Sequence, residues 1–371
     1  MRLKVGMVAP TKAGKTTLLA ATSEAIKEKL VGNAYRITAN AADEVTRDAM
    51  KRAIVEYKTC MSGGDVFATP QLRGTTETTD YKYTVTVPVE GGAPQHLNFW
   101  WKDFPGGLVG MAEFDKEVGP FINESVALVV PLPSDILMAW KDSYNVNDKM
   151  SIRVNMAAGE ALDFGNVCNV IKNWIAQNAG KDILLMFAPI RCEAYFNDNG
   201  GAEDKSDRLF KAIEELYIEP LELTSEQKRH VQVEAYAVDT YGTVELKRVK
   251  LVETPVGDLL ESEFQKRIGS GSKLKAKGAA EVFTAICHFE LEKIARTLEM
   301  GVDKLREDIA NRSFFGRIWD WIRELFGGES PKRSLLQAMQ KNECAYQAMA
   351  VLDKCSQPSE MRHRVYNRIG D

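Results

Sequence analysis

The chain is poor in the residues that build metal and nucleophile sites. It has four histidines, at 96, 230, 288 and 363, and they fall into no ligand spacing. Its six cysteines, at 60, 168, 192, 287, 344 and 355, form no CxxC pair, which excludes zinc-ribbon and thioredoxin-type frameworks. No Ser/His/Asp or Cys/His nucleophile set stands out. Basic residues are not in excess. Lys and Arg number 48 against 52 Asp and Glu, a net charge of −4, so nucleic acid is not an expected partner. No apolar run reaches the length of a membrane span. Arg2 and Lys4 are followed at once by a polar loop, which leaves no signal-peptide pattern. With unpaired thiols, these absences give a cytoplasmic expectation. Internal repeats and low-complexity tracts are also missing.

What is present begins at the N-terminus. An apolar run over 3–8 leads into Ala9-Pro10-Thr11-Lys12-Ala13-Gly14-Lys15-Thr16-Thr17, and a helical pattern follows over 18–30. Strand, tight loop and helix form the context of G-x-x-x-x-G-K-[ST], with Ala9 standing where the first glycine is expected. The chemistry needs these residue types. The loop from Pro10 to Thr17, through its backbone N–H groups from Thr11 onward, and the helix N-terminus surround a phosphate chain. Gly14 permits close backbone approach. Lys15 holds the β- and γ-phosphates as a point charge. Thr16 offers its hydroxyl to Mg²⁺. These residues predict a bound nucleotide with Mg²⁺.

A second motif lies further on. The strand 97–102 ends in Asp103-Phe104-Pro105-Gly106-Gly107. An acidic strand end followed by x-x-Gly is how P-loop proteins hold the Mg²⁺ water (Asp103) and sense the γ-phosphate through a backbone N–H (Gly106). The same four residues are also good turn chemistry. Between the motifs, 69–79 is a polar loop rich in threonine and glycine, followed by an alternating strand through Tyr81, Tyr83, Val85 and Val87.

In that order, the two motifs resemble the P-loop GTPases of the translation-factor and Ras-like class. The nearest likeness is to the dynamin-like, guanylate-binding and bacterial double-GTPase types, over roughly the first two thirds of the chain. The resemblance implies a switch threonine closing on Mg²⁺, with Thr75 and Thr76 as leading candidates and Thr78 and Thr79 behind them. It implies a base-reading N/T-K-x-D after the strand 182–188. Ile190-Arg191-Cys192-Glu193 stands there, with Arg191 to stack on a base, Glu193 to accept its N–H groups, and Ile190 breaking the pattern. Guanine and adenine therefore both stay open. A final base-contacting loop falls at 239–242. Gly107 replaces the water-orienting glutamine of Ras-like proteins, and Lys12 stands where the guanylate-binding type carries a catalytic arginine. Arg73, in the presumed switch loop, is the other cation. The implied activity is slow GTP hydrolysis, raised by dimerisation or a partner, in a bacterial setting. The alternatives are an ATPase of the same fold, a non-hydrolysing nucleotide-binding scaffold, and a small-molecule P-loop kinase, disfavoured because no arginine-rich lid is evident.

The periodicities predict an α/β domain over 1–254, a mostly parallel sheet with helices on both faces, followed by a helical C-terminal domain over 255–371. Helices are expected at 40–61, 134–140, 157–179 and 206–216. A continuous apolar strand is expected at 125–132, further strands at 182–188 and 231–238, and an extra strand at 244–252. The C-terminal part is read as one long helix, or two, over 279–309 and another over 335–352. Between them, 313–326 crowds aromatic and aliphatic residues on one face. That stretch is a core helix, or a contact for a membrane surface or a protein groove. The C-terminal helices are the expected surface for a protein partner or a homo-oligomer.

Overall fold

The structure is a computed structural model. It describes residues 2–29, 37–62, 66–68, 77–199, 203–227, 230–255, 257–267, 276–310, 331–355 and 359–369. Arg73, Thr75, Thr76 and the stretch 313–326 lie outside the described residues.

The fold is α/β, built on an eight-stranded mixed sheet. Its strands are β1 (Arg2–Met7), β2 (Thr38–Ala41), β4 (Thr79–Val87), β5 (Gln95–Asp103), β6 (Ala127–Pro133), β7 (Ile183–Ile190), β8 (Val231–Tyr236) and β11 (His363–Asn367). They run in the order β11-β8-β7-β6-β1-β5-β4-β2. The centre, from β5 through β1, β6 and β7 to β8, is parallel. The hairpin of β4 with β5, strand β2 and strand β11 add antiparallel edges.

The strand sequences explain the layering. Every residue of β6 and β7 is buried, as expected for strands covered on both faces. Alternate residues serve different cores. Val129, Met186 and Ala188 join one cluster with helices α1 (Lys15–Lys29) and α2 (Glu44–Ser62). Leu128, Val130, Leu185 and Phe187 join the other, with α5 (Ser134–Ser143), α6 (Lys149–Leu162), α7 (Phe164–Gln177) and α8 (Ser206–Leu216). Trp174 anchors this second layer, fully buried, with its indole N–H donating to the Ser125 carbonyl over 3.0 Å.

Several expectations are corrected. The helix expected over 157–179 is two helices and starts earlier, at Lys149. Asp148 caps the first by accepting from Met150 N and Ser151 N, each over 2.9 Å. Asp163, at φ 43°, closes it in a left-handed turn. Two short helices, α3 (Ala112–Glu117) and α4 (Gly119–Asn123), and the helix α9 (Ile218–Glu226) are additional.

The boundary expected after 254 falls inside a hairpin. Strand β9 (Val244–Thr254) pairs with β10 (Gly257–Lys266), and β10 with β3 (Val66–Ala68), in a separate three-stranded sheet. Thr-Pro-Val-Gly suits a linker and a hairpin turn equally, and only the pairing decides. The C-terminal region is mainly the helices α10 (Ala279–Ala310) and α11 (Pro331–Cys355). Their Phe283, Ile286, Ala345 and Leu352 belong to the same core as α1. Strand β11 then returns the chain to the main sheet beside β8. Among the described residues, no helix is long and apolar enough to cross a membrane.

Candidate functional site

The carboxyl ends of β1, β5, β6, β7 and β8 share one edge, the side on which open parallel sheets bind ligands. The loop 8–14 leaves β1 there. It turns by placing Lys12 at φ 61° and Gly14 at φ 99°, both left-handed. Pro10 and Ala13 close a turn, Ala13 N donating to Pro10 O over 3.3 Å. Helix α1 begins at once, with Leu18 N donating to Gly14 O over 2.8 Å. Ala9 is fully buried, and Thr11 and Lys12 are exposed.

Lys15 starts α1 and turns back under the loop. It is 4 % exposed, and its ammonium donates to the carbonyls of Ala9 (2.9 Å) and Pro10 (3.5 Å). It also lies 5.3 Å from the centre of the Phe104 ring. Burial lowers its pKa from 10.5 to about 8, and the nearby Asp103 carboxylate opposes that shift. Thr16 and Asp103, 87 residues apart, meet directly, with Thr16 Oγ1 donating to Asp103 Oδ2 over 2.5 Å. The parallel pairing of β1 and β5 brings them together. Thr79 is opposite Asp103 in the register of β4 and β5, so this threonine of the polar loop reaches the same edge. Thr17 follows in the first turn of α1.

Gly106 touches the loop so closely that no other residue fits. A Cβ on it would lie 2.3 Å from Pro10 C and 2.4 Å from Thr11 N. The chain then makes a tight turn over Gly106–Leu108. The two sequence motifs are thus in backbone contact.

The other end of the edge differs from expectation. Arg191 is at φ 59° and only 5 % exposed. Its guanidinium faces inward, 3.0 Å from the buried carboxylate of Asp135. Its N–H donates to Thr240 Oγ1 over 2.9 Å. Glu193 is fully buried, and its Oε1 accepts from the N–H groups of Tyr241 (2.6 Å) and Gly242 (3.1 Å). Burial, then the charge of Asp239, pushes Glu193 up to about 7. In this arrangement neither side chain faces outward to stack on or accept from a base. The Glu193 carboxylate holds the backbone of 241–242, and the Arg191 main-chain N–H holds the Thr240 hydroxyl. Ile190, which breaks the expected motif, packs against the loop 8–14, where a Cβ on Gly14 would lie 2.5 Å from its Cδ1. No protein-family model matches this chain, and no curated protein matches it either.

Sequence reasoning missed Asp135, Asp198 and Arg362. Arg362, immediately before β11, is 4 % exposed and bonds to both Asp198 and Asp239. Helix α2 also reaches this end. Tyr57 donates its hydroxyl to the Thr240 carbonyl and stacks on Tyr241 with ring centres 5.8 Å apart.

The donor set suits a hard cation. Thr16 and Asp103 supply a hydroxyl and a carboxylate, oxygen ligands that Mg²⁺ accepts alongside waters and substrate phosphates. Among the described residues, no group of three or more His, Cys, Asp or Glu gathers to hold a metal alone.

Proposed function

We propose that this edge binds a nucleoside triphosphate with Mg²⁺, and that the protein is a nucleotide-dependent switch that hydrolyses GTP slowly. The observation that carries the reading is the meeting of Lys15, Thr16 and Asp103 beneath a glycine-turned loop, with Gly106 against its backbone. Lys15 would hold phosphate oxygens in place of the carbonyls it now contacts. Thr16 and Asp103 would hold Mg²⁺, which when bound neutralises charge developing on the phosphates. The N–H of Gly106 would register the terminal phosphate, and the turn after it would move when that phosphate leaves. Lys12, exposed in the loop, is the described cation nearest in sequence to Lys15 and a candidate to stabilise the transition state. Gly107 has no side chain to orient water, so turnover is slow. Since α10 and α11 share the core of α1, the same helices are placed to pass nucleotide state to a partner or a second copy.

ATP is the second reading. It is favoured by the inward orientation of Arg191 and Glu193, which leaves base contact to the backbone of 239–242. Direct titration of the full chain with GTP and ATP, with and without Mg²⁺, tests both. Micromolar, Mg²⁺-dependent binding of GTP over ATP supports the GTPase reading. ATP preference replaces it with an ATPase, and binding of neither nucleotide rejects both.

Lys15 also sets a pH dependence. In the free protein its ammonium is lost as pH rises through about 8. A phosphate stabilises the charged form, so binding above that pH must take up a proton. Affinity should fall by up to about tenfold per pH unit above 8, and be flat there in Lys15→Arg, as read by calorimetric Kd between pH 7 and 10.

A further inference from the structure

Two chain segments border the base side of the edge. One follows β7 and carries Asp198. The other follows β8 and carries Asp239. Both carboxylates converge on a single residue from the far end of the chain. Arg362 Nε and Nη2 donate to the two oxygens of Asp198 over 2.7 and 2.6 Å. Its Nη1 and Nη2 donate to the two oxygens of Asp239 over 3.0 and 2.8 Å. The guanidinium lies 4.3 Å from the centre of the Phe196 ring. Its main-chain carbonyl accepts from Ala237 N over 2.8 Å. Asp239 is fully buried, so its charge is tolerable there only with such pairing. The planar fork of arginine fits two carboxylates at once, which a lysine ammonium does not.

The same segment after β8 is gripped a second time from the C-terminal side. Asp239 N donates to the Lys277 carbonyl over 2.9 Å. A Cβ on Gly278 would lie 2.1 Å from Ala237 O. From this clamped stretch the chain passes to Thr240, Tyr241 and Gly242, whose groups meet Arg191 and Glu193.

We propose that Arg362 is a positioning residue for the nucleoside end of the site, through which the C-terminal strand β11 sets the affinity for base and sugar but not for the phosphates. The inference rests on the nucleotide reading above. The phosphate groups depend on Lys15, Thr16 and Asp103, none of which touches Arg362 in the bonds just described. The two determinants are therefore separable by a ligand that has phosphates and no nucleoside.

The experiment compares Kd for GTP, ATP and inorganic tripolyphosphate, each with Mg²⁺, on the full-length wild type and on Arg362→Ala, Arg362→Lys and Asp198→Asn. Thermal midpoints without ligand are measured alongside. Arg362→Ala should lose about tenfold or more in affinity for the better nucleotide and stay within about twofold of wild type for tripolyphosphate. Arg362→Lys should recover part of the loss. Should Arg362→Ala fail to fold, Asp198→Asn carries the test, because it loosens the clamp at a partly exposed carboxylate. Equal losses for nucleotide and tripolyphosphate, or a lowered midpoint with nucleotide affinity intact, would show a merely structural brace and overturn the proposal. So would a wild type that binds nucleotide no tighter than tripolyphosphate, which leaves the phosphate reading standing. A wild type that binds none of the three removes the nucleotide reading and this inference with it.

Discussion

Lys15→Ala is expected to weaken nucleotide binding about 100-fold while leaving the ligand-free protein nearly as stable as wild type. The two effects separate because the ammonium is costly where it sits. Its pKa is lowered from 10.5 to about 8 by burial, which corresponds to about 3 kcal/mol against the charged form in the fold. In return it makes contacts to the carbonyls of Ala9 and, at the 3.5 Å limit, Pro10, together about 3 kcal/mol when a hydrogen bond to a charged group contributes about 1.5 kcal/mol or more. Removing the side chain lifts the penalty and loses the bonds, so the balance is small. Binding has no such offset. On the nucleotide reading the cation would meet an anionic phosphate chain, and a charge-assisted contact of about 2.7 kcal/mol is a hundredfold in Kd. Lys15→Arg should keep the charge but not the reach beneath the loop, and fall between. Titration and thermal melting on the same samples give both readings. A variant that melts far below wild type would make Lys15 a structural cation. One that binds as tightly as wild type would remove the loop from the site.

How much of this was legible in the sequence follows from which signals are local. The loop 8–14, the start of α1 and the acid at the end of β5 are each written in a few adjacent residues, and each stands where the pattern puts it. The buried strands β6 and β7 were legible for the same reason, since an unbroken apolar run has few alternatives. Pairing partners are not local. The alternation in β9 fits a strand but does not say which sheet takes it, and β10 claims it. The turn at 254 reads as a linker until the register of β9 and β10 is known. The residues after 356 are mostly polar and basic, yet Arg362 is buried between carboxylates 123 and 164 residues away. Residue type misleads in the same way at Arg191 and Glu193. Charged residues at a strand end are ordinarily exposed, and here Asp135 and the N–H groups of 241–242 help to make their burial tolerable.

Glu193 separates the sequence expectation from the structure most sharply. If its carboxylate accepts the N–H groups of a base, Glu193→Gln should collapse any preference between GTP and ATP. The structure predicts otherwise. The amide oxygen of glutamine can still accept from Tyr241 N and Gly242 N, so the loop and the GTP/ATP ratio should hold within about twofold, as for a conserved acceptor. What changes is the pH dependence of stability. Burial and Asp239 hold the folded pKa near 7, above the ordinary 4.5. The folded protein therefore binds more protons than the unfolded chain between 4.5 and 7, and this stabilisation is lost as pH rises through 7. Glutamine mimics the protonated form at every pH. The variant should equal wild type at low pH and exceed it at pH 8, the gap opening as Glu193 ionises in wild type. Glu193→Ala should do the reverse at all pH values below 7, because it leaves two buried N–H donors without their acceptor, at about 1–3 kcal/mol each. Denaturant unfolding of the three proteins at pH 4.5, 6 and 8 reads these differences, together with the response of Asp239, whose charge faces Glu193. A glutamine variant that is less stable than wild type at pH 8 would mean that the charge on Glu193 itself holds the 239–242 loop, and that Arg362 and Asp239 leave the site more positive than their paired geometry implies.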